Sequence, residues 1–64
     1  MDTTYRATTA NRMAIAYAED SRNHHLRILA ALPPQDPSRV IHQEAVTHLT
    51  ATIEHLRERE GATA

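Results

Sequence analysis

A stripe of mostly apolar positions runs through the second half of the chain at alternating spacings of three and four residues. Its members are His42, Ala45, Val46, Leu49, Thr52, Ile53 and Leu56. This spacing is typical of the seam of a coiled coil or a four-helix bundle. The pattern therefore predicts a helix over about residues 37–60, with Gly61 at the position that follows a helix end.

The first half of the chain, over about residues 4–32, predicts another helix with a much broader apolar arc. Ile15 and Leu26 extend this arc on one side. One partner helix is too narrow to cover it, so the pattern predicts a further contact, with a second copy of the chain. The arc comprises Ala10, Met13, Ala14, Tyr17, Ala18, Ser21, His24, His25, Ile28, Leu29 and Leu32.

Between the helices, Pro33 and Pro34 end the first helix because proline has no backbone N–H and clashes with the preceding turn. Asp36 is expected to cap the second helix, with Pro37 at its first position and Ser38 as the alternative cap. The turn then covers about residues 33–36, and so short a connection favours antiparallel neighbours. The predicted fold is an all-α antiparallel hairpin.

Folding the chain about this turn gives an expected register. Val40 and Ile41 are expected to close the end of the core beside the turn. The other expected neighbours are Met13 and Leu56, Tyr17 and Ile53, Ser21 and His48, and His25 and Glu44.

The chain has 64 residues, which allows one domain over 1–64, with frayed N-terminal residues and a disordered tail from about 61. A lone hairpin of this size buries little surface, and without cysteine no disulfide or thiolate zinc site stabilises it. Self-association into a homodimeric four-helix bundle is therefore expected. The predicted contact residues are Met13, Tyr17, Ile28, Leu29, Val46, Leu49, Ile53 and Leu56.

Five histidines are the most suggestive chemical feature, but no His-x-x-x-His or His-Glu-x-x-His spacing occurs. No nucleophile–base pair has a recognisable frame, and a single glycine gives no phosphate-binding loop. The sequence therefore predicts a non-enzymatic protein without metal or cofactor. A pH-sensitive or metal-binding arrangement of His24, His25, Glu44 and His48 stays open.

Charge supports one alternative function. All seven basic residues are arginine, although the net charge is −1. Arg12, Asn23 and Arg27 share the outer side of the first helix and would be doubled in a dimer, offering a surface for phosphates. Such a bundle resembles the small RNA-binding hairpin dimer Rop in size and architecture, although not in sequence.

The favoured interpretation is a protein–protein interaction module that self-associates and regulates or tethers a larger protein partner. No apolar run approaches the length of a membrane span, and a cytoplasmic location is expected. Nothing in the sequence identifies the partner.

Overall fold

The computed structural model describes the backbone of residues 3–63 and the side chains of residues 9–60. Within this range the chain forms two helices and no strand: α1 spans Thr3–Ala31 and α2 spans Arg39–Thr63. The helices fold back on each other along their length, which confirms the predicted all-α hairpin. The result is a rod with principal extents of 51 × 16 × 12 Å.

The turn follows from the chemistry of its proline and aspartate residues. The N–H of Asp36 donates to the Pro33 carbonyl at 3.1 Å, and the N–H of Arg39 donates to the Asp36 carbonyl at 3.1 Å. The Asp36 carboxylate accepts the N–H of Ser38 at 2.9 Å and its hydroxyl at 2.7 Å. Asp36 therefore caps the entry to α2, as the sequence indicates.

The ends of α2 differ from the sequence-based bounds. Regular helix begins at Arg39, because the first α-type bond runs from the His42 N–H to the Ser38 carbonyl. At the other end, helix continues through Gly61 to Thr63, so the predicted stop near Glu60 is wrong. Gly61 is helical, and the helix extends into residues expected to form a disordered tail. Met1, Asp2 and Ala64 lie outside the described residues.

The core is small and lies away from the turn. Among the described residues, its buried members are Ile15, Ala18 and Ile53, and Leu49 and Leu56 pack against them. Ile15 and Ala18 are three positions apart on α1, and Leu49, Ile53 and Leu56 are spaced by four and three on α2, so each helix turns one narrow line of side chains toward the other. The predicted stripe of α2 is thus confirmed as the inward face of that helix.

The predicted inward face of α1 is wrong by part of a turn. Ile15 and Ala18 face α2, whereas Met13 is 69% exposed and Tyr17 is 78% exposed. The predicted closure of the core by Val40 and Ile41 is also wrong within one chain, because both side chains are more than half exposed. An alanine-rich helix offers more than one seam of small side chains, and the branched Ile15 fills the gap opposite Ile53.

Candidate functional site: the two flanks of the hairpin

Polar side chains occupy part of the seam between the helices. The Asn11 amide donates to the Leu56 carbonyl at 2.6 Å and joins the helices near their free ends. At the other end, a nitrogen of His25 lies 2.8 Å from a nitrogen of His42. Among the described side chains, no buried polar atom is left without a partner. The seam is therefore a mixed polar and apolar contact.

Arg39 closes the turn end of the molecule. Its Nη1 donates to the Leu29 carbonyl at 2.9 Å and to the Leu32 carbonyl at 3.1 Å. The last carbonyls of a helix have no partner within the helix and carry partial negative charge. A cation from the first turn of α2 thus caps the C-terminal end of α1. This contact is not among those predicted from the sequence, although an arginine just after a tight turn can indicate it.

His25 contacts His42, which is not one of the residues that the sequence suggests for a histidine arrangement. The Nδ1 atoms of His25 and His42 face each other, so one of them carries the proton that the other accepts. His24 touches only the edge of the His25 ring, with the ring centroids 5.5 Å apart. Glu44 does not meet His25, so the predicted register is wrong by about two residues at this point. Across the described residues, no three potential ligands converge on a metal site.

One flank of the hairpin is charged and bridged by ion pairs. Arg12 binds Glu60 at 2.7 Å, and Arg57 binds Glu19 at 3.3 Å. The hydrogen bond from Arg12 to the Glu60 carboxylate raises the pKa of Arg12, and the charge of Glu60 adds to that effect. Exposed pairs of this kind add little to stability. Both pairs lie on the same side of the rod. We call this side, with Arg12, Glu19, Arg57 and Glu60, the charged flank.

The opposite side carries small and apolar residues. Glu19 of α1 and Arg57 of α2 meet across one edge of the seam. Because the two helices pack side by side, their surfaces also adjoin along the opposite edge of the seam. At about 100° per residue, this surface holds a set of side chains that we call the open flank. The open flank consists of Ala10, Met13, Ala14, Tyr17 and Ile28 of α1 and Ile41 of α2.

The open flank is exposed where it is most apolar. Tyr17 is 78% exposed, Met13 is 69% exposed and Ile41 is 66% exposed. Ala10 and Ala14 are also exposed, whereas Ile28 is half-buried. Exposed apolar side chains are ordinary when they are scattered, but a contiguous apolar surface indicates a contact site. Met13 and Tyr17 form such a group with Ala10 and Ala14, whereas Ile41 lies apart from them near the turn.

A shallow groove of about 460 Å³ lies along the outer side of α2. Every side chain that lines it comes from α2, so the groove is a feature of one helix surface rather than a cleft between helices. It includes Glu44 and His48 from the predicted histidine arrangement but neither His24 nor His25. The lining residues are Val40, Gln43, Glu44, Thr47, His48 and Ala51.

The structure separates the predicted contact residues into three groups. Ile53 is buried, with Leu49 and Leu56 packed against the core. Ile28, Leu29 and Val46 are half-buried nearer the turn, whereas Met13 and Tyr17 are exposed. The first group joins the two helices of one chain. Met13 and Tyr17 are the pair left available for a contact with another molecule.

The residues of the alternative nucleic-acid surface are exposed but differ in their contacts. The guanidinium of Arg12 binds Glu60, so part of its charge is already compensated within the chain. Asn23 and Arg27 are both exposed farther along α1. Opposite charges on the charged flank therefore reduce the basic character that the sequence alone suggests.

Comparison with known proteins gives no significant match to a family model, a curated protein or a solved structure. Neither helix, over the residues described, has an apolar stretch long enough to cross a bilayer.

Proposed function

We propose that the chain is a non-enzymatic protein–protein interaction module whose first activity is self-association into a four-helix bundle. The dimer then regulates or tethers a larger protein. The observation that carries this proposal is the mismatch between a small core and a large exposed apolar surface. Of the side chains in residues 9–60, three are buried, whereas five large apolar ones are exposed. The exposed ones are Met13, Tyr17, Leu26, Val40 and Ile41.

The solvent-exposed area of the chain shows how large this mismatch is. A compact monomer of the same 7.2 kDa mass exposes about 4,100 Å². This chain exposes 4895 Å², an excess of about 800 Å². A standard protein interface removes about 800 Å² from each partner. Docking of one partner onto each hairpin would therefore bring the exposed area of the chain to that of a compact monomer of the same mass.

The shape supports the same proposal. The radius of gyration is 15.0 Å, whereas a compact chain of this length has a value of about 11 Å. A single layer of two helices accounts for the difference, because its core has helices on two sides and solvent on the other two. A second layer of two helices would cover one of those sides and give the usual four-helix arrangement.

The test is the mass and helicity of the chain over a concentration series. We expect light scattering after size exclusion to give twice the chain mass at high concentration. Circular dichroism on the same samples should show that helicity is lost together with the dimer on dilution. A folded monomer at every concentration would contradict self-association.

Substitutions in the core test whether dimer formation is coupled to folding or is simple aggregation. Leu49→Asp or Ile53→Asp should dissociate and unfold the protein together, because each places a charge in the seam. Thr47→Asp is the matched control, since Thr47 is exposed on the same helix. A Leu49→Asp or Ile53→Asp protein that stays folded as a monomer would contradict an obligate dimer.

Nucleic-acid binding is the alternative function. It predicts binding that weakens with salt and that Arg12→Ala and Arg27→Ala reduce without loss of helicity. The ion pair of Arg12 with Glu60 makes this alternative less favoured, because phosphate contact would have to compete with an existing partner. Salt-insensitive binding, or none, would remove it.

The proposed place of action is the cytoplasm. Fractionation of cells that produce the chain, followed by immunodetection in each fraction, tests this part directly.

A further inference from the structure

We infer that the open flank is the surface on which a second copy of this chain docks, with the charged flank facing outward. This inference rests on the proposed self-association and adds the side of the hairpin that makes the contact. It commits to one occupant, an identical hairpin related by a two-fold axis. Charge and side-chain size are distributed differently between the two flanks, and both differences favour this contact.

Charge is divided unequally between the flanks. Projection of the helices at about 100° per residue places eight charged residues on or beside the charged flank. On the open flank the same projection places Arg59 near the far end of α2 and Glu44 at the outer margin, with His48 and His55 between them along the helix. A dimer seam excludes water from its centre, and unpaired charges there are costly. The α1 side of the open flank carries no charged residue from Ala10 to Tyr17, so this stretch can be covered at little electrostatic cost.

Side-chain size makes the open flank complementary to itself. Met13 and Tyr17 are large and protrude, whereas Ala10 and Ala14 leave shallow positions beside them on the same helix. A two-fold axis brings the same surface of each copy together, so large side chains of one copy can fit beside small ones of the other. The open flank carries both protruding and shallow positions, so it is complementary in shape to the same flank of a second copy.

The available area also points to a second copy. The excess exposure of about 800 Å² matches the share that one partner contributes to a standard interface. Along a rod 51 Å long, a second rod of the same length covers the flank from the turn to the free ends. A short peptide would leave much of that length exposed.

Ala14 and Ala16 provide a matched pair for the test. Both are exposed alanines of α1, two residues apart, and they point about 160° away from each other. Ala14→Arg places a charge in the open flank, whereas Ala16→Arg places the same charge outside it. We expect Ala14→Arg to weaken the dimer by at least about tenfold in Kd, with Ala16→Arg close to the unmodified chain.

Thiol protection gives a second readout that does not depend on weakening the dimer. The chain has no cysteine, so Ala14→Cys and Ala16→Cys each introduce one unique reactive group. Above the dissociation concentration, the thiol at position 14 should react at least about tenfold more slowly than the thiol at position 16. Dilution to monomer should abolish that difference.

The outcomes separate this inference from the proposed function. A dimer that tolerates Ala14→Arg but is lost with Ala16→Arg would overturn the choice of flank and leave self-association intact. Equal protection of both thiols in a proven dimer would overturn it as well. A chain that is monomeric at every concentration overturns both, and a heterologous protein on the open flank would then be the remaining occupant.

Discussion

The two halves of the hairpin are held together by different interactions. Among the described residues, the buried side chains Ile15, Ala18 and Ile53 lie between the middle of the hairpin and its free ends. Nearer the turn the apolar side chains are only half-buried, and polar contacts join the helices as well: Arg39 binds carbonyls of α1, and His25 meets His42. Apolar burial scales with area and tolerates small shifts, whereas hydrogen bonds require one geometry. The turn half therefore sets the register, and the distal half supplies most of the stability.

The largest expected effect tests the distal half. Ile53→Ala removes the most buried large side chain and should lower the free energy of unfolding by about 3 kcal/mol. Leu29→Ala, at a half-buried position near the turn, should cost about half as much. Urea denaturation followed by circular dichroism, at one fixed chain concentration, measures both. Equal losses would contradict the division between the halves.

The next effect tests the turn half. Arg39→Ala removes two hydrogen bonds and a cation from the end of α1, and should cost about 1.5 kcal/mol. Arg57→Ala is the control, because it removes an exposed ion pair and should cost less than about 0.5 kcal/mol. The same denaturation measurement applies. If the two variants are alike, the contact of Arg39 is no stronger than a surface ion pair.

A polar contact in the distal half refines the comparison. Asn11→Ala loses the bond to the Leu56 carbonyl and should cost about 1 kcal/mol. Asn11→Asp should lower the stability at least as much, because its carboxylate oxygens cannot donate a hydrogen bond and would face the Leu56 carbonyl oxygen, which is also an acceptor. Thermal melts at one concentration give the ranking. Unchanged stability of Asn11→Asp would show that the bond does not stabilise the hairpin.

The smallest effect concerns pH and the turn. Hydrogen bonds from Ser38 lower the pKa of Asp36 below its ordinary value of 3.8. Because the folded pKa is depressed, this contribution is present above about pH 4 and is lost as the pH falls through the folded value. Acid titration followed by circular dichroism should show this loss in the original chain.

The matching variant is Asp36→Asn, which should flatten that part of the acid titration, whereas Asp20→Asn, at an exposed position of α1, should leave it unchanged. An identical acid profile for all three proteins would contradict the capping role of Asp36.

The sequence predicts the hairpin well because its strongest signals are local. Pro33 and Pro34 determine where α1 ends, and Asp36 with Ser38 determines how α2 is entered. The stripe of α2 is predictable because, beyond Val40 and Ile41 in its first turn, the large apolar residues of this helix all lie in it. These features depend on the chemistry of neighbouring residues, which a sequence displays directly.

The inward face of α1 is not predictable in the same way. Alanines lie on several sides of this helix, so hydrophobicity marks a broad arc without a clear centre. The observed seam passes through Asn11, Ile15, Ala18 and His25, two of which are polar. Their inward positions depend on partners in α2, the Leu56 carbonyl and His42. Such pairings arise only when both helices are in place, and this is why Met13 and Tyr17 were expected in the seam.

The contacts of Arg39 also bear on how the chain folds. They join residues only ten and seven positions apart, whereas the bond from Asn11 to Leu56 spans 45 positions. Closing a short loop loses less chain entropy, so the turn end can form first and the helices can then align progressively toward their free ends. On this pathway a short-range polar clamp nucleates the hairpin, while the later apolar contacts slow its unfolding.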